Sequence, residues 1–168
     1  MQYYDKYTFF YGGPFSQWRY SPFEIDNQFY THAEQYMMYQ KAMVFGDLEA
    51  AKAVLVSKDP SIQKAIGRTV RGFNPDVWNS ISRDVVFRAN VAKFGQSVVL
   101  WDQLMDTTGT LLVEASPTDK IWGIGLSEIQ AYGTTSQQWQ GTNWLGQVIT
   151  EVREYFEFGN GTKYNQRI

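Results

Sequence analysis

The sequence contains no cysteine and only one histidine, His32. Without cysteine there is no disulfide, no thiol nucleophile and no Cys-ligated zinc, and a single histidine excludes a multi-histidine metal site. A Ser-His-Asp triad would depend on His32, and the sequence lacks the Gly-x-Ser-x-Gly turn that presents the nucleophile in many hydrolases. An enzyme built from this sequence therefore has to use carboxylates and amines. We expect neither a metal nor a cofactor.

Long apolar segments and blocks of like charge are also missing. No stretch reaches the roughly 18 apolar residues that a membrane-spanning helix needs, and no signal-peptide pattern is present. The formal net charge is −2, which does not favour binding a long stretch of nucleic acid through its phosphates, although a single nucleotide is compatible with it. The expectation is a cytoplasmic protein with no membrane partner.

Aromatic residues, in contrast, are abundant. Six Trp, eleven Tyr and eleven Phe are spread along the 168 residues. This composition is typical of a packed globule, and the length suits one domain over residues 1–168. Most of these rings must belong to the core, but some are available to stack on a nucleobase.

Capping and turn signals predict a mainly helical fold. Thr31 to Glu34 has the form of a capping box, in which the Thr31 hydroxyl accepts a hydrogen bond from the Glu34 amide, and this helix should run to Phe45 and stop at Gly46. Asp59-Pro60 and Asn74-Pro75 are typical starts of two later helices. The further predicted helices cover residues 47–57, 60–66, 76–94, 97–105 and 144–158.

The remaining segments predict a small β element near the N-terminus. Residues 1–30 are expected to form short strands and loops, with a hairpin over 22–30 that turns at Asp26-Asn27. Residues 111–115 form a further candidate strand, and 133–142 are expected to form a loop. The expected architecture is a helical bundle with this β element at one end.

Glu34 and Lys41 are the first candidate site. They lie seven residues apart on the first predicted helix, which brings them to within about 20° of the same face and about 10 Å apart along the axis. Both side chains could then reach a ligand between them. The alternative is that Glu34 is only a capping-box carboxylate and Lys41 a solvated lysine.

Asp119, Trp122 and Gly123 form the second candidate site. Small residues in a turn let the backbone approach a ligand closely, and an aromatic ring near a carboxylate suits a sugar or a nucleobase. The alternative is that Asp119 caps the turn and Trp122 anchors the core. Trp78 is either a stacking platform or, more simply, a core residue. The Ser16-Gln17-Trp18 loop offers polar contacts or is merely a tight polar loop.

Four motifs in the same order resemble those of the NADAR family, also called YbiA-like proteins. Together they cover about residues 9–156, and four ordered motifs are far more specific than any single one. One departure is the loop 133–142, which bears on the substrate that fits. The motifs are Phe15-Ser16-Gln17-Trp18 with Ser21-Pro22-Phe23, Ala33–Met38 with Lys41-Ala42, Ala115–Leu126, and Asn143–Gly146 with Glu151-Val152-Arg153.

This resemblance implies a mainly α, YbiA-like helical domain with N-glycosidase activity. Family members are described as cleaving base–ribose bonds on early riboflavin-pathway intermediates or on ADP-ribosylated guanine in DNA. The implied partner is an ADP-ribose-like or other nucleotide, free or on ADP-ribosylated DNA. By the same resemblance the implied catalytic residues are Glu34, Lys41 and Asp119, and the implied substrate contacts are Ser16, Gln17, Trp18, Trp78, Trp122, Gly123 and Asn143.

The chemistry of a base–ribose bond suits these residue types. Cleavage of the C1′–N bond builds positive charge on the ribose, which a carboxylate stabilises. A second carboxylate can activate water or protonate the base, or a lysine can attack C1′ and open the sugar as a Schiff base. Two other interpretations stay open: a nucleotide-binding module without catalysis, and an interaction protein that shares only the fold.

Overall fold

A computed structural model describes residues 4–159 and shows a mainly helical fold, as predicted. The remaining positions of the predicted domain, 1–3 and 160–168, lie outside the described residues. The helices are α1 (Ala33–Val44), α2 (Leu48–Val56), α3 (Pro60–Arg68), α4 (Pro75–Gly95), α5 (Val98–Met105), α6 (Glu128–Ala131) and α7 (Trp144–Glu157). The strands are β1 (Tyr7–Phe10), β2 (Phe23–Ile25), β3 (Gln28–Tyr30) and β4 (Leu111–Glu114).

Four of the longer described helices begin at side-chain caps. Asp59 and Asn74 each precede a proline at the first helical position, and their carboxylate or amide oxygens accept backbone N–H groups of the first turn. Asp47 and Ser97 cap α2 and α5 in the same way. These contacts satisfy N–H groups that have no partner inside a helix. The predicted starts of α3 and α4 are confirmed.

The predicted capping box at α1 is wrong. The residue that precedes the helix is His32, and no side chain caps it. The Gln35 amide oxygen takes the Thr31 N–H at 2.7 Å and its hydroxyl at 3.2 Å. The Glu34 N–H donates instead to the backbone oxygen of Gln17 at 3.1 Å. A tertiary contact has replaced the local one, and the Glu34 side chain is not used as a cap.

The strands form two separate pairs. β2 and β3 form the predicted hairpin, in which Asp26 and Asn27 take the left-handed conformation of a tight two-residue turn. β1 pairs in parallel with β4, with Tyr7 opposite Leu111 and Phe10 opposite Glu114. The sequence predicted β4 but not its partner, because parallel pairing joins segments that are distant along the chain.

Two short helices lie between β4 and α7, and the second of them falls within residues 133–142, which were expected to form a loop. These are α6 and a 3-10 helix at Ser136–Gln138. Each begins with a capping box, from Ser127 to Gln130 and from Thr135 to Gln138. Such short turns lack the hydrophobic periodicity that reveals longer helices.

The main core lies where α4 and α7 pack together and against β4. One face of α7 is apolar, and its five residues are all buried: Leu145, Val148, Ile149, Val152 and Phe156. Gly146 sits between them because any side chain there would collide with the Leu112 carbonyl oxygen. The buried Arg153 guanidinium is held by the Thr107 and Thr110 carbonyl oxygens at 2.8 and 2.7 Å.

Within residues 4–159, none of the helices combines the length and the apolar character needed to cross a membrane.

Candidate active site

The carboxyl ends of β1 and β4 lie at the same edge of their parallel pair. The Ala115 N–H donates to the Phe10 carbonyl oxygen at 2.8 Å, so the two chains are still side by side as they leave the strands. Residues 11–19 follow β1 and residues 115–127 follow β4. The first of these segments is bonded to the start of α1 through Gln17 and Glu34. Both segments are therefore brought to one region of the molecule.

Glu34 is the most deeply buried of the three candidate catalytic residues, with only 6% of its surface exposed. The pKa of this carboxyl group is raised to about 7, mainly by burial. The negative charge of Asp119 also raises the pKa, whereas the positive charges of Lys64, Lys41 and Arg68 lower it. Within the described part of the chain, its carboxylate has no hydrogen bond and no ion pair closer than 4 Å. A buried carboxyl group without a partner is costly to keep and is typical of functional sites.

Lys41 lies two turns further along α1 and is half-buried. Burial lowers its pKa, Glu34 raises it, and Arg68 lowers it again. The ammonium nitrogen lies 4.3 Å from the centre of the Phe73 ring. Because Glu34 and Lys41 each alter the pKa of the other, both side chains act on one region, as the helical spacing predicts.

Asp119 is held in place by the turn that contains it. One carboxylate oxygen, Oδ1, accepts the backbone N–H groups of Ile121 at 2.9 Å and Trp122 at 2.8 Å. The Asp119 N–H donates to the Ser116 hydroxyl at 3.1 Å. Among residues 4–159 no hydrogen bond to Oδ2 is formed, so that oxygen is available to a ligand. The charge of Asp119 acts on Glu34, which places both carboxylates on the same side of the protein.

Trp122 and Gly123 shape this turn. The Trp122 ring is half-buried and meets the Trp144 ring edge-on, with centroids 5.6 Å apart. A side chain at position 123 would lie 2.9 Å from the Asp119 carbonyl oxygen and 3.0 Å from that of Glu114. Glycine is therefore needed for the turn to fold back onto the end of β4.

Three further charged residues belong to the site and were missed at the sequence level. Glu114 is the last residue of β4, and its pKa is raised to about 7, mainly by burial. The charges of Asp119 and Glu34 also raise this pKa, whereas Lys64 lowers it. Lys64 and Arg68 both act on Glu34. Their spacing of four residues on α3 was the signal for a shared basic face. The signal for Glu114 was a carboxylate at the end of an otherwise apolar strand.

Ser16 and Trp18 lie beside this cluster, on the loop that follows β1. With Gly12, Gly13, Arg19 and Tyr20 they line a cleft of about 460 Å³. Trp18 is 45% exposed, and the Lys64 ammonium nitrogen lies 5.7 Å from the centre of its ring. The Ser16 hydroxyl accepts the Trp18 N–H at 3.1 Å. An exposed ring next to cations suits a nucleotide, so the predicted contacts of both residues fit their positions.

The other three predicted substrate contacts lie inside the protein. The Gln17 side-chain oxygen accepts from Asn90 at 2.9 Å. Both ends of the Asn143 amide bond to the β4 backbone, with Oδ1 accepting from Glu114 and Nδ2 donating to Leu112, each at 3.0 Å. Trp78 is 6% exposed and belongs to the main core, where the simpler interpretation put it. Their contact with substrate stays a prediction.

Lys93 is a buried amine that the sequence did not single out. Its ammonium group donates to the Ser16 carbonyl oxygen at 2.9 Å, and only 1% of the residue is exposed. The pKa of Lys93 is lowered to about 7, mainly by burial and also by the positive charge of Arg19. Lys93 thus supports the Ser16–Trp18 loop from beneath.

The site therefore combines three carboxyl groups with several cations, beside the cleft that the Ser16–Trp18 loop lines. Two of the carboxyl groups have pKa values near 7, where one group can give or accept a proton at neutral pH. Within residues 4–159, no group of three His, Cys, Asp or Glu side chains has the arrangement needed to hold a metal ion. These features define an acid–base site of the kind used by hydrolases.

Comparisons with known proteins agree with this class. A sequence model of the NADAR domain matches residues 3–157. A protein named N-glycosidase from Acanthamoeba polyphaga mimivirus is 40% identical over 163 residues, covering 89% of this chain and 96% of the relative. A chloroplastic riboflavin biosynthesis protein of Zea mays, PYRR, is 31% identical over 109 residues, covering 62% of this chain but only 16% of that protein.

The fold is also similar to a solved structure. The NMR structure of the Escherichia coli protein YbiA superposes with a TM-score of 0.75 and 25% sequence identity, covering 94% of this chain and 88% of that one. The chain belongs to the NADAR domain family. It is an N-glycosidase, as are the relatives of that name. The resemblance found in the four motifs is confirmed, and so is the YbiA-like fold.

Proposed function

We propose that this N-glycosidase hydrolyses the bond between ribose C1′ and the base nitrogen of an ADP-ribosyl or ribosylamino nucleotide. The observation that carries the proposal is the Glu34 carboxyl group, which is buried and forms no hydrogen bond or ion pair with residues 4–159. The charges of Asp119 and Lys41 both act on it. Positive charge that develops on the ribose ring as the base leaves is stabilised by such carboxylates. Glu34 and Asp119 supply that stabilisation.

The cations near Glu34 favour a substrate that carries phosphate. Lys64, Arg68 and Lys41 all lower the pKa of Glu34, so their positive charges lie close to the cleft. Lys64 also lies beside the exposed Trp18 ring. A ring for a base and cations for a phosphate are the two features by which a nucleotide is held.

Two substrates fit this chemistry. One is an early riboflavin-pathway intermediate, a ribosylaminopyrimidine phosphate, and similarity to the maize protein named for riboflavin biosynthesis supports it. The other is ADP-ribosyl-guanine on DNA, which the four family motifs imply. Both contain a nitrogen bound to ribose C1′ and at least one phosphate, so the same site residues serve for either.

Lys41 is proposed as the nucleophile. Its amine attacks C1′ as the C1′–N bond breaks, and the proton lost by the attached amine passes to the Glu34 carboxylate. The ring C1′–O bond then opens to an imine on Lys41, the ring oxygen takes a proton, and water releases the sugar and restores the amine. Attack requires an uncharged amine, and burial lowers the pKa of Lys41 in that direction.

The opposing pull of Glu34 on Lys41 is weakened once the ribose hydroxyls of the bound substrate engage the Glu34 carboxylate. The alternative mechanism is direct attack by water, aided by Glu34 and Asp119. Borohydride added during turnover should reduce the imine to a stable adduct that peptide mapping locates at Lys41. No adduct, together with substantial activity in Lys41→Arg, would favour direct water attack.

Substrate identity is tested by incubating the protein separately with ADP-ribosyl-guanine DNA and with ribosylaminopyrimidine phosphate. Mass spectrometry should detect the free base and the free ribose product from one of them. Tight binding of both without any release would point to a nucleotide-binding module. Absence of binding and release with both would overturn the proposed substrate class.

A further inference from the structure

We propose that Glu114 is a further catalytic residue, the general acid that gives its proton to the departing nitrogen. The proposal rests on the N-glycosidase function described above, and it assigns to this side chain a step that Glu34, Lys41 and Asp119 leave open. Glu114 directly precedes the Ala115–Leu126 motif. It belongs to the strand and not to the turn that carries Asp119.

The backbone around Glu114 is fixed on three sides. Its N–H donates to the Asn143 amide at 3.0 Å, and its carbonyl oxygen accepts from Ile124 at 3.0 Å. Its neighbour in the parallel pair is Phe10, which is buried. With these contacts made, the direction in which the Glu114 side chain leaves the strand is set by the fold.

Alternation along β4 places Glu114 on the same face of the strand as Leu112, and its register partner Phe10 belongs to the same core as Leu112. The Glu114 side chain therefore leaves the strand on the side of that core. The charges that act on its carboxyl group are those of Asp119, Glu34 and Lys64. All three residues either belong to the site already described or border it. Glu34 provides a second and independent sign that a ligand belongs there, because it is 94% buried and has no hydrogen bond or ion pair in the described part of the chain.

The charges of Glu34, Glu114 and Asp119 act on one another. Such groups repel each other when all are ionised, so a proton is retained among them near neutral pH. Glu34 and Glu114 are the two whose pKa is raised to about 7, in each case mainly by burial. Glu34 is the carboxyl group on which Lys41 acts, whereas Glu114 is influenced by Asp119, Glu34 and Lys64. Glu34 shares helix α1 with Lys41, whereas Glu114 is carried by β4.

This arrangement assigns different roles to the two groups. Displacement at C1′ has the nucleophile and the leaving group on opposite faces of the carbon. Glu34, next to Lys41, accepts the proton that the attacking amine gives up. Glu114, which is carried by β4 and not by the helix of the nucleophile, takes the role of protonating the nitrogen that leaves.

The proton transfer accounts for every bond. The C1′–N bond breaks and its electron pair stays on the nitrogen. The O–H bond of the protonated Glu114 carboxyl group breaks at the same time, and its proton forms the new N–H bond of the free base. Glu114 is left as a carboxylate and takes a proton from water before the next turnover.

The pH dependence of Glu114→Gln tests this role. The wild-type kcat/KM should fall above about pH 7 as Glu114 loses its proton under the influence of Asp119, Glu34 and Lys64. Glutamine has a similar shape but no proton to give, so we expect kcat/KM to fall by about a hundredfold or more and its decline above pH 7 to disappear. Glu114→Asp should keep part of the activity and keep that decline.

Glu128→Gln is the matched control, because Glu128 is an exposed carboxylate on α6, and its profile should equal that of the wild type. Glutamine imitates the protonated side chain, so Glu114→Gln should melt at the wild-type temperature. The proposal would be overturned if Glu114→Gln had near-normal activity and its kcat/KM still declined above pH 7. An unfolded Glu114→Gln would also count against it, since the protonated form would then not be the one that the fold accepts.

A second measurement separates failure of this inference from failure of the proposed function. Nuclear magnetic resonance of protein labelled with ¹³C at the glutamate carboxyl groups provides this measurement. The resonance that is missing from Glu114→Gln is that of Glu114, and in the wild type it should titrate near pH 7. Titration near pH 4 would overturn the proposal whether or not the wild type cleaves either substrate. A third outcome is that the Glu114 carboxyl group titrates near pH 7 but the wild type releases no base from either substrate. The substrate class, and the general-acid role that depends on it, would then be overturned. The proton that Glu114 retains near neutral pH would still be established.

Discussion

The backbone N–H of Glu34 donates to the backbone oxygen of Gln17 at 3.1 Å. This bond fastens the loop that carries Ser16 and Trp18 to the helix end that carries Glu34. One residue earlier, the Ser16 oxygen accepts from the buried Lys93 at 2.9 Å. The site is thus built from two segments that hold each other in place through their main chains.

Trp18 and Trp78 should respond in opposite ways to replacement by alanine. Trp18 is 45% exposed on the cleft, so Trp18→Ala should raise KM about tenfold, as expected for a lost stacking contact, with little change in melting temperature. Trp78 is in the core, so Trp78→Ala should lower the free energy of unfolding by about 3–5 kcal/mol. Steady-state kinetics and chemical denaturation measure the two effects. An unchanged KM in Trp18→Ala would remove that ring from substrate binding.

Gly123→Ala should reduce activity more than stability. The added methyl group would press on the carbonyl oxygens of Asp119 and Glu114 at 2.9 and 3.0 Å, and both are backbone atoms that cannot rotate away. Relief requires the turn to shift, which displaces the carboxyl groups it positions. We expect kcat to fall by at least tenfold, while the free energy of unfolding falls by about 1–3 kcal/mol. Wild-type kcat would show that the turn does not position the reacting groups.

Lys93→Met should change how stability depends on pH. Burial lowers the pKa of Lys93 to about 7 in the folded protein, against about 10.4 in an unfolded chain. Between these values the unfolded chain binds the proton more tightly, so the wild type gains stability as the pH rises from 7. Methionine has no such proton, and buried charges are often replaced by apolar residues without loss.

The melting temperature of the wild type relative to Lys93→Met should therefore rise between pH 7 and pH 9.5. Below pH 7 the variant should be the more stable of the two. A constant difference in melting temperature between the two proteins over this range would contradict the prediction, because folded Lys93 would then keep its proton as the unfolded chain does.

The sequence was sufficient for the parts of the fold that depend on local signals. Asp59-Pro60 and Asn74-Pro75 predicted the starts of two helices because the cap and the proline act within one turn. The seven-residue spacing of Glu34 and Lys41 predicted a shared face for the same reason. Parallel pairing of β1 with β4 depends on contacts about a hundred residues apart, for which the sequence carries no local signal.

The same distinction explains what was missed at the site. Thr31 and Glu34 had the pattern of a capping box, but Gln35 and Gln17 supplied competing partners from within and outside the helix. Glu114 was missed because its significance comes from burial beside Asp119, which only the turn over Gly123 creates. Lys64 was missed because α3 had to pack beside α1 before its charge could reach Glu34.

Glu34→Gln and Asp119→Asn should both fold and lose activity. Burial raises the folded-state pKa of Glu34 to about 7, above its unfolded value near 4.3, so stability is lost as the pH rises between them. Glutamine cannot ionise, and Glu34→Gln should therefore be at least as stable as the wild type at pH 8. Unfolding of both variants would mean that these carboxylates serve the structure instead of the reaction.

Release of free base by the wild type and by Glu34→Gln, measured side by side, tests the central claim most directly. With the better of the two nucleotide substrates at pH 7, we predict that kcat/KM of Glu34→Gln is lower by about a hundredfold or more, while Glu128→Gln matches the wild type. Asp119→Asn should show a comparable loss. Turnover by folded Glu34→Gln at the wild-type rate would contradict the account, because the cleft around this carboxyl group would then not be where the base–ribose bond is broken.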